Sequence, residues 1–186
     1  RQVGALDYLG GLVLWSADPR FGGFSSMHVA GDRFMLMADT GDLTRVTIDR
    51  RWRLGPARLD AMQGLGTGGH KRERDIESMA VDPATGRFWV GLENTNRVVR
   101  YGPDLVKQAE AAPAAMAEWS SNGGAESMVR TADGRFILIS EAASRPDGTH
   151  PVLIFDRDPT DPAARVEEVG YRPPDDSFNP TDALEL

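Results

Sequence analysis

DIESMAVDPATGRFWVGLE (75–93) is the stretch whose reading decides the fold. A short apolar run at 78–82 meets the turn-forming PATG (83–86), and a second run at 87–93 returns and closes on a carboxylate. Val, Phe and Trp bounded by Asp, Pro and Gly favour two antiparallel strands over a helix. Two other stretches follow the same plan, FGGFSSMHVAGDRFMLMAD (21–39) and GGAESMVRTADGRFILISE (123–141). Met27, Met79 and Met128 align, and NPTDALEL (179–186) begins a fourth copy with Ala183 in the methionine place. The period is about 50 residues with β-type segments, the signature of propeller blades.

Working outward, each repeat reads as a hairpin followed by outer strands. RVVRYG (97–102) is a third strand in the second copy, TRVTID (44–49) in the first and PVLIFD (151–156) in the third. AMAEW (115–119) reads as a fourth strand, after an Ala-rich connection (106–114) that could form a helical turn. ALDYLGGLVLWSADPR (5–20) reads as outer strands of a preceding blade. The expectation is an all-β chain, a single partial β-propeller domain over 1–186, with four-stranded blades starting near 21, 75, 123 and 179. Rings of this kind typically need 4–8 blades, so the chain should cover about half of one. It opens on Arg1, shows no signal peptide, and reads as a mature or excised piece.

Composition narrows the function. Twenty glycines and twelve prolines suit a turn-rich β fold. The net charge of −7, with only the mixed-sign HKRERD (70–75) as a basic block, speaks against a nucleic-acid partner. No apolar run approaches a membrane span; GLVLW (11–15) is strand-sized. The absence of cysteine removes disulfides and thiolate metal sites.

The acids follow the repeat. Two residues before the aligned methionine stand Ser25, Glu77, Glu126 and, in the fourth copy, Thr181; five after the aligned Phe stand Asp39, Glu93 and Glu141. A hairpin sets the start of its first strand beside the end of its second, so Glu77 should neighbour Glu93, and Glu126 should neighbour Glu141. If the first strands line a central channel, these carboxylates converge at one mouth. Crowded carboxylates repel one another or recruit a cation, and an oxygen-only donor set favours Ca²⁺ over Zn²⁺. Capping of strand ends in water is the competing reading for each acid singly. Arg72 and Arg74, just ahead of Glu77, could hold a phosphate or carboxylate, or Arg74 could simply pair with Asp75 or Glu77.

Other signals are weaker. Gly64, Gly66 and Gly69 fit G-x-G-x-x-G but lack a βαβ setting and read as a loop. His28 in a strand and His70 and His150 in loops have no metal-ligand spacing. Ser25 and Ser26 lack the nucleophile-elbow pattern. DRDPTD (156–161) reads as a turn between blades, and Trp15, Trp52, Trp89 and Trp119 as packing between sheets.

FGGFSSM (21–27), RDIESMAVDPATGRFWVGLEN (74–94), NGGAESMVRTADGRFILISE (122–141) and NPTDALEL resemble the phytase-like family, "esterase-like activity of phytase". Phe21-Gly22-Gly23, Arg74-Asp75-Ile76-Glu77 and Asn122-Gly123-Gly124-Ala125-Glu126 match its motifs in order. The resemblance implies a β-propeller exported by bacteria, periplasmic or secreted, with phosphoesterase-type activity. The expectation that follows is a hydrolase of small phosphate esters. Glu77, Glu126 and Arg74 would be catalytic, and Glu77, Glu93, Glu126, Glu141 and Asp39 would hold a divalent cation, Ca²⁺ by preference. The rivals are lactone or carboxylic-ester hydrolysis at the same site, and a non-catalytic binding scaffold with a structural cation. The remaining blades of the propeller are the expected protein partners.

Overall fold

The computed structural model of the chain describes residues 2–65, 74–142, 145–174 and 178–185; Arg72, His70, Gly66 and Gly69 lie outside them. A two-residue pairing, β1 (Gln2–Val3) with β2 (Leu6–Asp7), precedes three four-stranded antiparallel sheets. The first comprises β3 (Phe24–Ala30), β4 (Arg33–Ala38), β5 (Asp42–Ile48) and β6 (Leu54–Ala61). The second comprises β7 (Ile76–Val81), β8 (Phe88–Leu92), β9 (Arg97–Tyr101) and β10 (Lys107–Ala111). The third comprises β11 (Ala125–Arg130), β12 (Phe136–Ser140), β13 (His150–Phe155) and β14 (Val166–Tyr171). Each sheet is a meander in chain order, and the first strands β3, β7 and β11 pack against one another in sequence. The fold is all-β, three propeller-type blades not closed into a ring.

The core lies between the blades because β8, flanked by a blade on each side, buries both of its faces. In β8, Phe88, Val90 and Leu92 join Met37 and Leu43 of the first blade. Trp89, pointing the other way, joins Met128, Phe136, Leu138 and Leu153 of the third. The period-2 alternation of a strand thus feeds two apolar layers at once. Repeat-equivalent methionines report where a blade lacks a neighbour: Met79 and Met128 are 7% and 2% exposed, whereas Met27 on β3 is 54% exposed.

Several expectations change. The fourth strand of the second blade is β10, inside the supposed Ala-rich connection, while 115–119 is no strand; Ala114–Met116 forms a 3₁₀ turn that buries Met116. Arg97 of β9 pairs with Glu110 of β10 across the two strands, and Lys107 joins Glu110 from within β10. Residues 8–23 carry no strand: four glycines and Pro19 break the run, and Val13 and Trp15 face outward, Trp15 at 84% exposure. Trp52 is exposed too, at a left-handed turn position, so only Trp89 and Trp119 pack inside. His150 is a buried residue at the start of β13, its ring Nδ1 beside the Ser140 carbonyl at 3.2 Å. Residues 178–185 carry no strand of their own.

DRDPTD is a turn within the third blade, joining β13 to β14, and it reaches across to the second. Asp158 accepts a hydrogen bond from Trp89 Nε1 at 2.7 Å and pairs with Arg100. Its own loop adds the Thr160 backbone N–H and hydroxyl, both at 2.8 Å. Burial pushes its pKa up, but these donors together hold the carboxyl below its ordinary value. We predict that Asp158→Ala lowers unfolding free energy by about 2–4 kcal/mol, as loss of a part-buried charged clamp should. Urea unfolding measures it, and a loss under about 0.5 kcal/mol, ordinary for a surface change, would remove the clamp from the account.

Candidate metal centre

The acids gather where each first strand begins, and a β-bulge puts them there. Pairing of β7 with β8 skips from Ile76↔Leu92 to Ser78↔Gly91, which leaves Glu77 as the extra residue. The same slip isolates Glu126 between Ala125↔Ser140 and Ser127↔Ile139, and Ser25 in the first blade. A bulge bends the strand and re-aims the inserted side chain. Three blades repeat it at one position, so the feature belongs to the architecture.

Glu93 and Glu141 directly follow β8 and β12, as Asp39 follows β4. Their backbone N–H groups donate to Asp75 O at 2.9 Å, Gly124 O at 3.1 Å and Gly23 O at 2.9 Å respectively. Two carboxylate groups result. Asp75, Glu77 and Glu93 present oxygens within 4.8 Å of one another, and so do Glu93, Glu126 and Glu141. Glu93 belongs to both. Asp39 is in neither set, though its charge acts on Glu77. Arg74 sits next to Asp75, half-buried, and its Nε has no hydrogen-bond partner.

Glu93 is buried, and it crosses the boundary between blades: its carboxylate accepts the backbone N–H groups of Gly123 and Gly124. Gly124 is needed for that approach, and Gly123 for the close packing and backbone conformation of its own blade. Gly123 has φ +138°, and a Cβ there would lie 2.8 Å from Ala142 Cβ. A Cβ on Gly124 would lie 2.9 Å from the Glu93 carbonyl and 2.8 Å from Asn96 Oδ1. The Asn-Gly-Gly motif is therefore a docking surface for the preceding blade's carboxylate.

Burial and mutual repulsion govern the protonation of the set. Desolvation pushes Glu126 up to about 8, with Glu77, Glu141, Glu93 and Asp75 adding to the rise. Glu77 rises to about 7, chiefly by desolvation, against a hydrogen bond from the Ser25 hydroxyl. Glu93 rises by desolvation and by Asp75 and Glu141, held back by the glycine N–H groups. Such a set fits a hard divalent cation: all donors are oxygens, several are anionic, and two blades supply them.

Sequence reasoning missed Asp75, although it quoted the motif that contains it. Asp75 fills the position held by Gly23 and Gly124 in the other repeats, and aligning the copies exposes it as the odd carboxylate. Asn94, whose Nδ2 donates to Asp75 Oδ2 at 2.6 Å, was equally unmarked. Its signal was only its place beside Glu93.

Bladed sheets that gather acids at the head of their first strands define a propeller-type protein with a candidate cation site. The chain belongs to the phytase-like family described as "esterase-like activity of phytase", whose model matches residues 19–186. No functionally curated protein matches it. Among solved structures, the β-propeller domain of Cps50 (Swd1) from Myceliophteria thermophila is 11% identical with a TM-score of 0.46, covering 81% of this chain and 40% of that one. The hydrazine synthase of Kuenenia stuttgartiensis is 10% identical with a TM-score of 0.44, covering 88% of this chain and 49% of that one. The chain thus spans less than half the length of either structure.

The raised carboxyls give a pH prediction. With Glu126 at about 8 when folded against an ordinary 4.5, the folded protein holds this proton more tightly than the unfolded chain. Stability without divalent cations should therefore fall as pH rises from about 4.5 to about 8. Glu126→Gln should flatten that fall and raise Tm at pH 8 by about 2–4 °C, allowing for solvent screening. Thermal unfolding in chelator across that range checks it, and a parent protein that gains stability with pH there would contradict it.

Proposed function

We propose that this chain carries the acidic part of a divalent-cation site in a hydrolase of phosphate esters, with Ca²⁺ as the ion. The observation that carries the reading is the pair of carboxylate groups sharing Glu93. Asp75, Glu77, Glu93, Glu126 and Glu141 would hold the ion or ions. Asp39, outside both groups, would add field rather than a ligand. A bound divalent cation supplies polarisation of a phosphoryl oxygen and a more acidic water.

The chain's own groups would do the rest. Glu77 could take a proton from the attacking water; its pKa, raised in the metal-free site, would fall once a cation binds beside it. Arg74, with a free Nε, would offset phosphate charge. Further blades would enclose the substrate on the open sides. The same arrangement would serve a lactone or carboxylic ester. A structural ion in a binding scaffold is the second reading, and one contact favours it: Glu93 already joins two blades.

Titration of Ca²⁺ into the chelator-treated whole protein by calorimetry tests the proposal, with hydrolysis of an aryl phosphate as the second readout. We expect micromolar or tighter binding, weakened at least about tenfold in Glu93→Gln. Glu77→Gln should keep the fold and lose about 10²-fold or more in turnover, as removal of a general base does. Absence of both binding heat and a Tm shift would sink the cation. Binding without turnover on any ester would leave the scaffold.

A further inference from the structure

Residues 179–185 lie along β11, pinned at both ends. Asn179 Nδ2 donates to Glu141 Oε1 at 3.3 Å, at the site end. Six residues on, Glu185 Oε2 accepts the Ala132 backbone N–H at 2.6 Å, in the turn beyond β11. The segment therefore runs in the same direction as β11, as β7 does beside β3. By the repeat, Asn179 stands where the second blade has Asp75, four residues before the aligned methionine position.

Each carboxylate group then has one outer member tied by an asparagine amide. In the first, Asn94 holds Asp75; in the second, Asn179 meets Glu141. The chemistry favours an amide here. A Glu141 side chain free to rotate would swing away from Glu93 and Glu126, its like-charged neighbours. A neutral N–H donor offsets that repulsion and leaves the other carboxylate oxygen unencumbered. A lysine or arginine would neutralise the group and compete with any cation.

We propose that Asn179 is a positioning residue of the acidic site, holding the Glu141 carboxylate toward Glu93 and Glu126, and that 179–185 occupies the first-strand slot of a fourth blade to bring it there. The inference rests on the cation reading for its consequence, and on the contact itself for its geometry.

The experiment separates the two. In the metal-free whole protein, the Asn179 side-chain amide resonances should shift on Glu141→Gln, because their acceptor loses its charge. In Ca²⁺ calorimetry, Asn179→Leu should bind about tenfold more weakly, the usual loss when a ligand's orienting partner is removed. Asn179 is exposed, so the leucine variant should fold, and its melting curve verifies that. Amide resonances indifferent to Glu141→Gln overturn the inference, and so does unchanged affinity in Asn179→Leu. If the parent protein takes up no Ca²⁺ while the resonances still move, the cation reading falls and the positioning contact stands.

Discussion

The contact between the Glu93 carboxylate and the backbone N–H groups of Gly123 and Gly124 ties the second blade to the third. It also places the one carboxylate that belongs to both acidic groups. A charge this buried needs donors that cannot rotate away, and main-chain amides at the head of the next blade meet that need. The contact alone does not hold the blades together, since desolvation and neighbouring acids work against it. The apolar layers do: side chains such as Phe88, Val90, Met128 and Leu138 each contribute about 1.5–3 kcal/mol on burial. The layers outweigh the repulsion, and Glu93 is one of several polar contacts across the boundary, with Ser78 to the Ala125 carbonyl and Trp89 to Asp158.

Two contrasting groups stand out among the described acids. Several away from the strand heads sit against arginines or lysines: Asp60 with Arg45 and Arg58, Glu110 with Arg97 and Lys107, Asp158 with Arg100. Hydrogen bonds and ion pairs hold all three below their ordinary pKa, against the opposing pull of desolvation. Glu77, Glu93 and Glu126 move the other way, by burial and by one another. Among the described residues the raised carboxyls are thus concentrated at one place, where burial and repulsion cost stability rather than adding to it.

How much of this was legible depended on the range of the interaction involved. The hairpins were readable because their alternation and turns are local, and the recurring Met and Arg-Phe positions set the period. Strand β10 was not, because KQAEA lacks β-branched residues and its cross-strand Arg97–Glu110 pair is revealed only by the pairing with β9. GLVLW misled in the opposite sense, an apolar run with no strand to pair with. At the site, repeat offsets marked Glu77, Glu93, Glu126 and Glu141. They grouped Asp39 with them too, although the first blade has Ser25 where its neighbours have glutamates. The role of Asp158 was invisible, since it lies in a partnership between residues far apart in the chain.

The bulges at Ser25, Glu77 and Glu126 carry a consequence for how such a chain can change. Deleting the single residue at 77 would leave Ile76 and Ser78 to continue an unbroken ladder with β8. The strand would then be more regular, and the carboxylate would be gone from the head of the blade. Selection for thermal robustness and selection for the acidic cluster therefore pull on the same codon in opposite directions. A lineage freed from the second demand would be expected to lose these insertions first, blade by blade, while its apolar layers and the Asp158 clamp persisted.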